Sequence, residues 1–173
     1  MFYKTLKIDD MVLPDYDIIR AVPIKIQIDD KRYLIFEIPT VKEWFDFETK
    51  YIKILATYFN LFTGVEFLTY QELSDEKLIQ RMIKQLYPAI QDNRLKKELL
   101  KLIKKYFKAN FNIRKLYKYI NVMQLAYIFL LIHSVVENVK KKTITTISQI
   151  KGLIQDTFLK SLNEPITTIE PRY

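Results

Sequence analysis

The sequence predicts an α+β chain that is mostly α: a small N-terminal β-hairpin, with a third strand available, packed on a bundle of about five to six helices. Three observations carry this. Ile24, Ile26 and Ile28 alternate with Lys25 and Gln27, the period of a half-buried strand. From Thr40 onward apolar residues recur at spacings of three and four, the period of a helix. Residues 122–136, VMQLAYIFLLIHSVV, form a nearly unbroken apolar run suited to the centre of a bundle. The expected organisation is a β-hairpin region over 1–39, a helical bundle over 40–162 and an extended tail over 163–173.

Taken in order, FYKTLKI at residues 2–8 offers the third strand, and Pro14 and Pro23 mark breaks around 15–21. After the strand at 24–28, Asp29, Asp30 and Lys31 make a polar turn and YLIFEI at 33–38 returns. Two strands alone cannot bury a face, so the hairpin must lean on the helices or on another chain. Thr40, with Glu43 three residues on, has the spacing of a capping box. The helix that follows carries Trp44, Phe45, Phe47, Tyr51, Ile52, Leu55, Tyr58 and Phe59, an apolar surface broad enough to face both the hairpin and other helices, and Gly64 is placed to close it. Thr69 with Glu72 repeats the capping spacing, Ser74, Asp75 and Glu76 offer a competing start, and Pro88 is expected to end the helix so begun. Further helices are expected near 92–108, 112–119, 120–140 and 146–162. The tail holds two prolines and no helical period, which suits a segment lying extended on a surface.

Composition excludes several chemistries. With no cysteine there is no disulfide, thiolate metal site or cysteine nucleophile. The two glycines, Gly64 and Gly152, are too far apart to form a loop that cradles phosphates, which argues against a nucleotide-binding enzyme. The N-terminal MFYKTLKIDD lacks the apolar core of a secretory signal, and the run at 122–136 is shorter than the roughly 20 residues that span a bilayer. No membrane span and no cofactor are therefore expected. His133, the single histidine, lies inside that run, where a satisfied core residue is the simpler reading than a catalytic base. Glu43, Asp46 and Glu48 could pair for acid and base chemistry, but acids in the first turns of a helix answer the positive end of its dipole.

The formal charge of +8 is concentrated locally. Arg94, Lys96, Lys97, Lys101, Lys104, Lys105, Lys108, Arg114, Lys115 and Lys118 are opposed within their span by Glu98 alone. On a helix Leu95, Leu99, Leu102, Ile103 and Tyr106 share a face, leaving a cationic outer side. Three readings compete: a solvated face, contact with an acidic protein surface, or binding of nucleic acid or anionic lipid through phosphates. No zinc finger or aromatic RNA-binding pattern accompanies the cations.

The junction from the hairpin into 39-PTVKEWFDFE-48 resembles the strand-to-helix start of tail-assembly chaperones and baseplate hub assembly proteins of tailed bacteriophages. The resemblance covers residues 22–60. It implies a non-enzymatic structural or assembly protein of the tail or baseplate, in the host cytoplasm or the virion, binding other virion or tail proteins or further copies of itself. Trp44, Phe45 and Phe47 are the candidate partner-binding residues. The alternative expectation is a basic nucleic-acid-binding module built on residues 92–118.

Overall fold

The structure, a computed structural model, describes residues 2–163, and for residues 142–148 and 163 the backbone alone. The chain divides into two compact units, Met1–Glu137 and Asn138–Tyr173. It is α+β and mostly α, as the sequence predicts.

In the first unit the sheet has four strands in the order β1 (Lys4–Lys7), β2 (Ile24–Gln27), β3 (Tyr33–Phe36) and β4 (Phe107–Ala109). The hairpin β2–β3 is antiparallel with Ile26 opposite Leu34. Its turn is closed by Asp29, whose Oδ1 accepts the N–H groups of Lys31 at 2.9 Å and Arg32 at 2.8 Å. Residues 2–8 do supply a strand, and it runs parallel to β2, because the chain returns through a crossover containing α1 (Tyr16–Ala21). The sequence reading took 15–21 only as an interval between prolines. The fourth strand is a second departure: β4 follows directly on a helix, and three residues are too few to show a period. Ile24, Ile26, Leu34 and Phe36 are fully buried on one face, as the alternation requires.

Four helices complete this unit or begin in it: α2 (Val41–Thr57), α3 (Glu76–Ile90), α4 (Asn93–Tyr106) and α5 (Val122–Asn163). Phe36 packs on Phe47 of α2 and on Phe107, with ring centroids 6.2 and 4.9 Å apart, which joins the sheet to the helices. Thr40 is the N-cap of α2, but its side chain makes no capping hydrogen bond, so the expected box with Glu43 does not form. Nor does Gly64 cap this helix: α2 ends at Thr57, a 3₁₀ turn over Phe59–Phe62 follows, and no glycine has positive φ. The chain turns there because Phe62 is drawn inward to stack on Phe129 at 5.5 Å.

Of the two starts expected near residue 70, Asp75 begins α3, accepting N–H bonds from Lys77 and Leu78. Glu72 does bond back to Thr69, over a single 3₁₀ turn. Pro88 lies inside α3 rather than ending it. The bond lost to the proline is the one to the carbonyl of Lys84, an exposed residue, and one more turn buries Ala89 and Ile90. Asp92 caps α4 through the N–H groups of Arg94 and Leu95, both at 3.0 Å. The helix expected at 112–119 is a 3₁₀ turn over Ile113–Lys118.

Helix α5 begins with a reciprocal cap: Asn121 Oδ1 accepts the Gln124 N–H and Gln124 Oε1 accepts the Asn121 N–H, each at 2.8 Å. Residues Leu125 to Val136 are buried without interruption. Val122–Lys141 is long and apolar enough to cross a membrane, yet 72% of that window is packed inside the protein. The two helices expected over 120–140 and 146–162 are one continuous helix. In the second unit the described residues are the C-terminal part of α5, with Ile150, Leu153, Ile154, Phe158, Leu159 and Leu162 exposed. From residue 164 the expected extended tail lies outside the described residues.

Candidate protein-binding surface

Helix α2 is apolar on two sides, and packing separates them. Phe47, Tyr51 and Ile54 point into the core. Trp44 is half-buried against Phe47, ring centroids 5.4 Å apart, and its Nε1–H donates to Glu48 at 2.9 Å. The other side faces solvent: Val41 is 96% exposed, Phe45 78% and Ile52 45%, with Phe59 67% exposed in the turn that follows. Ala56 is exposed between Ile52 and Phe59. At 100° per residue Val41, Phe45, Ile52 and Ala56 fall on one face, with half-buried Glu48 and exposed Thr49 between Phe45 and Ile52. At roughly 100 Å² per large side chain the strip amounts to a few hundred Å², the size at which apolar surface marks an interaction site.

Of the three candidate partner-binding residues, the structure therefore presents Phe45, offers the edge of Trp44 and withdraws Phe47, which is 0% exposed. The broad apolar surface read from the sequence does face both the hairpin, through Phe36, and other helices, through Tyr106 and Phe129, but with its inner half alone. One half meets the core and the other meets water. Val41 stands at the first helical position, before any period of the helix is established, so nothing local in the sequence marks it as outward-facing.

Beside this strip lies the cationic surface. Arg94, Lys97, Lys101, Lys104, Lys105 and Lys108 are exposed on or just after α4, and Arg114, Lys115 and Lys118 on the 3₁₀ turn. Lys96 is half-buried, with its backbone carbonyl accepting from the Tyr117 hydroxyl. The inward face is Leu95, Leu99, Leu102 and Ile103, buried as the projection predicts. Packing of α2 against α4 adds cations the sequence reading did not group with these: a cleft of about 380 Å³ is lined by Lys50, Lys53, Ile54, Thr57, Tyr58, Glu98, Lys101 and Leu102. Glu98 pairs with Lys101 at 3.2 Å.

At one side of this surface Asp46 joins the two helices. Its Oδ2 accepts from Lys105 at 2.9 Å and Lys50 at 3.3 Å, and from the Tyr106 hydroxyl. The Tyr106 bond first, then Lys105, hold the Asp46 carboxyl well below the usual carboxylate range. Desolvation and then Asp46 itself push the Tyr106 phenol up to about 12. Asp46 is thus a fixed anion that ties α2 to α4, which makes it unsuited to deliver a proton at neutral pH. Glu48 serves Trp44. The three acids at the start of α2 do not converge on one point.

His133 is 4% exposed and engaged at both ring nitrogens. Nε2 lies 2.7 Å from the Leu68 carbonyl oxygen, which can only accept, so Nε2 carries the proton and Nδ1 accepts from the Tyr51 hydroxyl at 2.7 Å. Burial, then the charge of Glu137, raise the Tyr51 phenol well above its ordinary value, keeping it a donor. This is a closed polar link within the core, joining α2, α5 and the loop before α3. Among the described residues no cluster of three or more His, Asp or Glu side chains could hold a metal ion. Comparison of the chain with protein-family models, with curated proteins and with solved structures returns no match, so the geometry of these surfaces carries the functional reading.

Proposed function

We propose that this chain is a non-enzymatic structural or assembly protein of a tailed bacteriophage, in the tail or baseplate, acting by protein–protein binding through the outer face of α2. The supporting observation is the exposure of Val41, Phe45 and Ile52 on one face of α2, with Phe59 exposed in the turn that follows, which costs solubility unless a partner covers it. The strip begins within 39-PTVKEWFDFE-48, the segment that resembles the phage assembly proteins. Half-buried Trp44 would form the edge of the contact and Phe45 its centre. The test is affinity co-purification from infected cells. Wild-type protein is expected to bring down a discrete, nuclease-resistant set of tail or baseplate proteins, and Phe45→Glu to reduce their yield by tenfold or more (roughly, for loss of a central aromatic anchor). Recovery of no tail component with the wild type would overturn the reading, as would equal recovery with the variant.

A second reading is favoured by one observation: Lys50 and Lys53 of α2 face Lys101 of α4 across the cleft, so the basic surface is not confined to one helix. Such a surface suits the phosphates of a nucleic acid, whose binding weakens steeply with salt, by nearly one unit of log–log slope per phosphate contacted. Replacing Lys97, Lys101 and Lys104 by Glu is expected to abolish retention of DNA and RNA while the circular-dichroism spectrum stays unchanged, because these side chains are exposed and Lys105, which pairs with Asp46, is kept. Retention as strong in that variant as in the wild type would dispose of this reading.

A further inference from the structure

The C-terminal part of α5 has a property that neither the strip on α2 nor the basic surface explains. Ile150, Ile154, Phe158 and Leu162 recur every four residues and form one ridge along the helix. Leu153 and Leu159 stand on either side of it, so that apolar residues are spread over roughly two-thirds of the circumference at 100° per residue, with Lys151, Gln155, Thr157 and Ser161 among them. The remaining stripe is Gln149, Gly152, Asp156 and Lys160. All six apolar side chains are between 51% and 68% exposed. A helix in water draws most of its stability from burying an apolar face, and one this broadly apolar is suited to more than one neighbouring helix.

We infer that this segment is a self-association element, and that what covers its ridge is the same ridge on further copies of this chain. Four observations favour copies over a foreign partner. A ridge of residues four apart can interdigitate with an identical ridge, as the commonest class of helix packing does. The charges along residues 149–163 are Lys151, Asp156 and Lys160, too few and too mixed for like charges to keep copies apart or to select an oppositely charged partner. The four ridge side chains on each of two copies, at roughly 100 Å² apiece, supply about 800 Å², and with Leu153 and Leu159 three copies supply about 1,800 Å², which passes the lower bound of stable specific interfaces. Leu153 and Leu159 stand on the shoulders, where a third helix reaches them, so the bundle expected holds three or more copies. This inference uses a different surface from α2 and does not rest on the reading above: it is decided on the purified chain with no phage component present.

The measurement is sedimentation equilibrium of the full chain over a wide concentration range, beside Ile154→Glu/Phe158→Glu and the control Lys160→Glu. The wild type and the control are expected to reach a mass that is a multiple of the 20.9 kDa chain. The double variant is expected to stay monomeric, its dissociation constant raised roughly 100-fold or more by loss of two central anchors. Its near-ultraviolet circular dichroism should match the wild type, because both side chains are exposed and outside the first unit. A wild type that is monomeric throughout would overturn the inference. So would a double variant that keeps the oligomeric mass. A monomer that instead binds vesicles containing anionic phospholipid, and loses this binding in the double variant, would also overturn it, by assigning the ridge to a membrane surface.

Discussion

Phe47→Ala is expected to lower the unfolding free energy by about 3–5 kcal/mol, the range for emptying a fully buried aromatic site, and the melting temperature by roughly 10 °C for a chain of this size. Phe47 is 0% exposed and touches Phe36, Trp44 and Tyr106 with ring centroids between 4.9 and 6.2 Å, so the sheet, α2 and α4 meet on it. No small residue nearby can close the gap, because its neighbours are themselves large and fixed by packing. Phe45→Ala, two residues away and outward-facing, is expected to change stability by no more than about 0.5 kcal/mol. Urea denaturation of the two variants separates them. Equal and small effects would mean that α2 does not sit on the sheet as described, and equal and large effects would mean that the outer strip is covered within the monomer.

The second large effect concerns the polar link in the core. His133→Ala removes the acceptor of the Tyr51 hydroxyl and the donor to the Leu68 carbonyl, and leaves a cavity between α2 and α5. Its expected cost is about 3 kcal/mol or more, from two buried groups left unpaired and the lost packing. Tyr51→Phe leaves only the ring Nδ1 without its donor and should cost about 1–3 kcal/mol. Because the residues share one hydrogen bond, the double variant should fall short of the sum of the two, a non-additivity that a double-mutant cycle measures. Fully additive losses would show that the Tyr51–His133 bond contributes nothing. For a domain whose whole stability is on the order of 5–15 kcal/mol, either single loss is large.

What the sequence revealed depended on whether the signal was local. The alternation of Ile24, Ile26 and Ile28 predicts a strand with those residues inward, and all three are buried. The α4 face of Leu95, Leu99, Leu102 and Ile103 followed from period alone. A run as apolar as 122–136 has few places to go other than a core, and its burial follows. The reciprocal cap of Asn121 and Gln124 is also local, since a polar residue three positions after an asparagine at the edge of an apolar run has the spacing of a helix start. Capping was over-read at Thr40, where spacing permits the bond and the side-chain conformation does not make it.

The functional surfaces were less legible, for a definite reason. Phe45 and Phe47 are chemically identical and two positions apart, and on a helix that separation turns them about 200° from each other. Period shows that they face differently. It cannot show which one meets the sheet, since α2 carries apolar residues on both sides. Only the packing of Phe36 and Tyr106 against one of them decides it. Likewise Lys50 and Lys53 join the cations of α4 because two helices far apart in sequence lie side by side. The parallel pairing of β1 and the addition of β4 are decided in the same way, by contacts between segments distant along the chain. By itself the sequence determined where the hairpin and the longer helices lie and which of their residues had to leave water, because those follow from local period and the hydrophobic effect. Which apolar face remained in water, and which charges came together, depended on the order in which those segments pack, and that is a property of the tertiary structure.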